Sequence, residues 1–76
     1  MPKWPITLYH TSGCHLCKQA QQLLVQQGIE AVQIDIITNP ELITRYGHQI
    51  PVLRHHNGAE LGWPFDAKTL SLFCYE

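Results

Sequence analysis

Ile6-Thr7-Leu8-Tyr9-His10-Thr11-Ser12-Gly13-Cys14-His15-Leu16-Cys17 is where two periodicities meet. Ile6 to His10 alternates with period two and reads as a strand. Thr11-Ser12-Gly13 breaks it. From Cys14 onward the pattern turns helical: Leu16, Cys17, Ala20, Leu23 and Leu24 fall on one face. Lys18, Gln19, Gln21, Gln22 and Gln26 fill the other face, and Gly28 supplies a residue tolerant of the left-handed conformation at a helix end. The stretch thus predicts a strand, a tight turn and a helix that opens on two cysteines three residues apart.

Working outward, Ala31-Val32-Gln33-Ile34-Asp35-Ile36-Ile37 predicts a second strand, apolar enough to be buried on both faces. Thr38-Asn39-Pro40-Glu41 carries three helix-start signals: a capping residue, Pro near the first turn, and Glu three after Thr38. A short helix bearing Leu42, Ile43 and Tyr46 then ends at Gly47. Val52 to His56 and Ala59 to Trp63 flank Asn57-Gly58, a strong hairpin signal. His55 and His56 read as solvent-facing residues beside that turn. Asp66 is placed to cap a terminal helix, with Phe65 and Leu70 as a hydrophobic staple and Leu70, Phe73 and Cys74 on its buried face. The predicted order is β-α-β-α-β-β-α: an α/β fold with a four-stranded mixed sheet flanked by helices, residues 1–76 forming one domain. The opening β-α-β implies parallel strands joined by a right-handed crossover.

Composition narrows the function classes. Five Lys+Arg against six Asp+Glu give a net charge of −1, so no basic stripe awaits a nucleic-acid backbone. An apolar fraction of 45% suffices for one core. No stretch approaches the roughly 18 apolar residues of a membrane helix. Met1-Pro2-Lys3-Trp4-Pro5 is not followed by a secretory apolar region, so the expected setting is cytoplasmic. The three cysteines, Cys14, Cys17 and Cys74, do not form the even, spread set of a secreted disulfide scaffold. Two at close spacing point to redox chemistry or metal binding in a reducing compartment. Cys74, beside Phe73 on a terminal helix, reads as core.

The position of Cys14 carries chemistry. Residues i and i+3 of a helix have Cα atoms about 5–5.5 Å apart, within disulfide reach. Free N–H groups and the positive dipole end of the helix stabilise a thiolate there. Cys17, deeper and on the apolar face, keeps a more ordinary thiol. One sulfur is poised to attack and the other to resolve. His15 beside Cys14, when protonated, and Lys18 one turn later would add positive charge near the thiolate. Because the dipole itself disfavours a protonated His at a helix N-terminus, the expected His15 effect is small.

Strand, Thr-Ser-Gly-Cys-x-x-Cys, amphipathic helix, strand, short helix, Ile50-Pro51-Val52, hairpin and final helix together resemble a thioredoxin-fold protein of the glutaredoxin type. The Cys14-His15-Leu16-Cys17 centre and the Trp63-Pro64-Phe65-Asp66 motif are most similar to small glutaredoxin-like proteins, and the likeness runs from Ile6 to Tyr75. The resemblance implies that Pro51 is cis and that its loop lies against the cysteine pair. It further implies that Ile50 offers its backbone to an extended peptide or to glutathione. Gly62 and Asp66 match the first Gly and the Asp of the Gly-Gly-x-x-Asp segment that holds the glutamyl end of glutathione.

The chain also departs from that pattern. The Cys-Pro-Tyr-Cys of many glutaredoxins is replaced, and the second Gly has become Trp63, an indole expected to narrow or fill the glutathione site. The expected function is dithiol–disulfide exchange with Cys14 as nucleophile and Cys17 as resolving thiol, with no bound cofactor or metal. The substrate class is a disulfide-containing protein or small thiol, and glutathione or a thioredoxin-type reductase is the candidate electron donor. Two other readings stay open. One is a metal or iron–sulfur site built on Cys14 and Cys17, with His10, His15 or Cys74 as further ligands. The other is a non-enzymatic binding module in which Trp63, Phe65 and the Pro51 loop mark a peptide groove.

Overall fold

The computed structural model describes residues 6–74; the readings of Met1 to Pro5 and of Tyr75 lie outside them. The first strand, β1, spans Ile6–His10, and the first helix, α1, spans His15–Gln26. Strand β2 is Val32–Asp35, helix α2 is Pro40–Tyr46, strands β3 and β4 are Val52–His55 and Glu60–Gly62, and α3 is Ala67–Cys74. The sheet order is β2-β1-β3-β4. β1 runs parallel to β2 and antiparallel to β3, and β3 runs antiparallel to β4. The predicted order and the mixed sheet are therefore found, in a thioredoxin-like arrangement. No helix among the described residues is long and apolar enough to cross a membrane.

Strand alternation sorts the core into two layers. Ile6, Leu8 and Leu53 turn to one face, where they meet Ala20 and Leu24 of α1, Phe65, and Leu70 and Cys74 of α3. Tyr9 and Val52 turn to the other, under Ile36 and Tyr46. α1 buries Cys17, Ala20 and Leu24 and half-buries Leu23. Leu16, expected on that face, is 42% exposed because it lies in the first turn, ahead of the sheet. The helix closes as a Schellman motif: Gly28 stands at φ +68°, its N–H donates to the Val25 carbonyl, and the Ile29 N–H reaches back to Leu24. Leu24 and Ile29 then meet in the core, the apolar contact that accompanies this motif.

Three expectations about the middle of the chain are corrected. β2 is an edge strand and ends at Asp35, with Val32 54% exposed, so it is not buried on both faces. Ile36–Thr38 leaves the sheet as a 3₁₀ turn because the Asp35 carboxylate accepts the Ile37 N–H and the Thr38 hydroxyl donates to the Asp35 carbonyl. With Thr38 so engaged, the cap of α2 is Asn39, whose side chain accepts the Glu41 N–H at 2.9 Å. The hairpin forms at Asn57-Gly58, but as a three-residue loop. The Gly58 N–H donates to the His55 carbonyl, and Gly58 alone takes positive φ, +93°.

A further correction concerns His55. It is 3% exposed, while His56 faces solvent. His55 shares strand parity with Leu53, so it turns inward, edge-on to Phe73 at 5.8 Å, and its Nδ1 accepts the Asn57 N–H. Asp66 caps α3 as expected: its Oδ1 accepts the Thr69 N–H at 2.7 Å, and that bond holds its carboxyl below the usual range. Asp66→Ala is expected to lower the urea midpoint of unfolding at neutral pH, through loss of the cap. A depressed native pKa stabilises above the unfolded value, so the deficit should shrink as pH falls through the native one.

Candidate functional site

β1 delivers the chain to the turn Thr11-Ser12-Gly13, where Gly13 adopts φ +79° and the Cys14 N–H donates to the Thr11 carbonyl at 3.4 Å. Positive φ is accessible to glycine without steric cost, so this residue lets the chain reverse directly from strand to helix. Cys14 is extended, at φ −83° and ψ 105°, and is the N-cap of α1. Its Sγ accepts the Cys17 N–H at 3.1 Å, standing where a Ser or Asp oxygen stands in an ordinary cap. Cys14 and Cys17 are joined as a disulfide, their Cα atoms 5.2 Å apart.

The two sulfurs are not equivalent. Cys17 is 1% exposed and packed on the helix face that meets the sheet, whereas Cys14 is half-buried at the helix end. The first turn of α1 carries no acidic side chain to oppose negative charge at Cys14. His15 and Lys18 are both exposed on that helix. The outer sulfur therefore sits at the open helix end within reach of solvent, and the inner one is shielded.

The topology gathers the other expected residues at the same sheet edge. Val52, at the start of β3, pairs with Tyr9 near the end of β1 and with Gly62 at the end of β4. The loops bearing Cys14, Pro51 and Trp63 thus leave the sheet together. The Ile50-Pro51 bond is cis, as the resemblance implied; so is Trp63-Pro64, which it did not. Pro51 is buried, and its carbonyl accepts the Trp63 N–H at 3.1 Å. The Ile50 N–H donates to the Tyr46 carbonyl, so that backbone group is already engaged within the chain. Beyond its chain neighbours, nothing lies within 4 Å of where a Cβ on Gly62 would stand. The Trp63 indole packs against the α1 and α3 core, edge-to-face on Phe65 with ring centroids 5.0 Å apart. Asp66 is exposed and occupied as the α3 cap.

Among the described residues, no three His, Cys, Asp or Glu side chains gather into a set able to hold a metal ion. A shallow groove between α1 and β2, lined by Gln21, Val25, Ile29 and Gln33, lies along the helix flank and does not include Cys14 or Pro51. Cys74 is 2% exposed in the core, and burial pushes its thiol up to about 11. It should resist iodoacetamide at pH 8 in the folded, reduced protein while Cys14 is alkylated, as peptide mapping would show. A raised native thiol pKa stabilises below the unfolded value, ordinarily near 9. Stability should accordingly fall as pH rises from there through the native value, and Cys74→Ala should remove that component.

One group of residues escaped the sequence reading. Tyr46 of α2 stacks on Tyr9 of β1 at 4.4 Å and donates its hydroxyl to Glu60 of β4. Arg45 lies over the Tyr46 ring and 3.7 Å from the same carboxylate. Tyr46 carried only a helical-face signal; its partners are 14 and 37 residues away, and no local pattern announces them.

The sequence model of the glutaredoxin-like domain (DUF836) matches residues 5–73. Among solved structures, the X-ray structure of XcR50, a Northeast Structural Genomics target protein from X. campestris, is 40% identical with a TM-score of 0.84. The alignment covers 90% of this chain and 92% of that one. The solution structure of XcR50 gives 39% identity and 0.81, over 96% and 91% of the two chains. Ne2328 from Nitrosomonas europaea, solved by NMR, is 28% identical with a TM-score of 0.74, over 97% and 93%. No curated protein matches significantly. The closely placed cysteine pair and this domain match together support a thiol redox-type role. The chain belongs to the glutaredoxin-like domain family (DUF836).

Proposed function

We propose that the chain is a dithiol–disulfide oxidoreductase. The observation that carries this reading is the asymmetry of the pair: Cys14 as the half-buried N-cap of α1, bonded to a buried Cys17 one turn inside. In the reduced protein, the Cys14 thiolate attacks one sulfur of a substrate disulfide. A Cys14–substrate bond forms as the substrate S–S bond breaks, and the departing thiolate takes a proton from solvent. Cys17 then loses its proton and attacks the Cys14 sulfur. The second substrate thiol leaves, and the Cys14–Cys17 bridge holds the two-electron oxidation. An external thiol donor, glutathione or a thioredoxin-type reductase, returns the pair to the dithiol.

Lys18 supplies positive charge near the nucleophile, and His15 adds to it only when protonated. The substrate is a disulfide-bearing protein or, in the reverse direction, a small thiol that attacks the Cys14–Cys17 bridge, lying along Ile50, Pro51 and Gly62 toward Asp66. The Ile50 carbonyl is the backbone group left to meet it, since the N–H is engaged with Tyr46. The need to regenerate the dithiol fits a reducing compartment such as the cytoplasm. Cys17→Ser tests the order of attack. This variant should accumulate a stable mixed disulfide on Cys14, seen as an adduct mass that reductant removes. Failure of any adduct to form on Cys14, with the variant folded, would sink the reading.

A further inference from the structure

We infer that Tyr46 is the positioning residue of this exchange, fixing the Ile50-Pro51 loop against the strand that leads into the Cys14 turn. The inference rests on the dithiol reading above and assigns a residue outside the cysteine pair.

Helix α2 has only seven residues, and Tyr46, 1% exposed, is the one it buries fully. Three contacts leave this side chain in three directions. Its ring stacks nearly parallel on Tyr9, with an interplanar angle of 15°. Tyr9 lies in β1, one residue before the strand end that leads into the Cys14 turn. The Tyr46 hydroxyl donates to the Glu60 carboxylate, on the strand that ends at Gly62 and leads into Trp63. Arg45 lies over the ring, 5.3 Å from its centroid, and pairs with Glu60. Meanwhile the Tyr46 carbonyl accepts two backbone N–H groups, Gln49 at 2.8 Å and Ile50 at 3.1 Å. The segment entering Pro51 is folded back onto this one residue. Ile50 also packs beside it, in the cluster of Tyr9, Ile36 and Val52.

Tyr46 therefore joins the three chain segments whose relative placement an extended substrate must match: the strand leading to Cys14, the Pro51 loop and the β4 exit. Burial and the Glu60 bond both keep the phenol protonated as a donor through the pH range where thiols exchange. A small disulfide needs only the Cys14 sulfur. A peptide disulfide must in addition lie along the loop, so displacement of that loop by a fraction of an ångström falls on the peptide alone.

The experiment uses two probes with one leaving group: 2-hydroxyethyl disulfide, and a linear peptide whose single cysteine is a mixed disulfide with 2-mercaptoethanol. Tyr46→Phe keeps the stack and the carbonyl but loses the Glu60 bond. It should raise KM for the peptide about tenfold, the scale of a hydrogen bond to a charged group, with kcat and small-disulfide turnover essentially unchanged. Glu60→Ala should reproduce the effect, and Glu60→Gln, which keeps a neutral acceptor oxygen, should recover part of the wild-type KM. Equal losses on both probes, or no loss on the peptide, would overturn the positioning role while leaving the dithiol reading intact. A wild-type protein inert toward both probes would overturn that reading and this inference with it.

Discussion

Cys14→Ser is expected to bring disulfide exchange to the uncatalysed background, a loss on the order of a thousandfold or more. The helix end that favours a thiolate cannot ionise a serine hydroxyl near neutral pH, and oxygen cannot complete a sulfur–sulfur exchange. The fold should survive, because Ser is itself a preferred N-cap and its oxygen can accept the Cys17 N–H that the sulfur now accepts. Cys17→Ser should behave differently. Its first attack proceeds at near wild-type rate and turnover then stalls, so a burst of released thiol without steady state separates the two roles. Steady turnover by Cys14→Ser, measured on 2-hydroxyethyl disulfide with a folded control by circular dichroism, would remove Cys14 from the mechanism.

Leu8→Ala is expected to destabilise the domain by about 3–5 kcal/mol. Leu8 is fully buried at the centre of β1, opposite Leu53 of β3, and faces the cluster of Ala20, Leu24, Phe65 and Leu70. A chain of 76 residues holds about 4–11 kcal/mol in total at typical per-residue stabilities. Removing three heavy atoms from that centre therefore takes a large share of the margin, and at about 4–8 °C per kcal/mol thermal unfolding should move well below the wild type. Val25→Ala serves as the contrast. Val25 is 78% exposed on α1, and its truncation should shift stability by less than about 0.5 kcal/mol. Comparable shifts for the two variants in calorimetry would contradict the placement of the core.

The elements that were legible in the sequence are those whose signals are local. Ile6 to His10 alternates cleanly, and the structure ends β1 at the same residue. The α1 face, its glycine stop and the Asp66 cap follow from spacings within one or two turns. Where side-chain hydrogen bonds compete with propensity, the reading failed. Ile36 and Ile37 are good strand formers, but the Asp35 carboxylate turned the backbone out of the sheet. Thr38 is a good cap, but its hydroxyl had a nearer carbonyl, and Asn39 took the role.

The site divides along the same line. The cysteine pair and its helix end were readable because strand, turn and helix are contiguous there. His55 could have been placed by counting parity from Leu53, but its polarity argued for solvent against the ladder. The Tyr9–Tyr46–Glu60 contacts depend on strand order and on how a seven-residue helix sits, which only the folded chain supplies.

The most direct measurement is the redox equilibrium of Cys14 and Cys17 in glutathione buffers of graded potential, quenched with acid and read by mass spectrometry. A dithiol exchanger should show a reversible loss of two hydrogens mapping to a Cys14–Cys17 bridge, with one midpoint and Cys74 still a free thiol. Thioredoxin-fold dithiols span about −270 to −120 mV, so the midpoint would also separate a reductant from an oxidant. A protein that stays dithiol across the whole series, or bridges through Cys74, would contradict the dithiol reading.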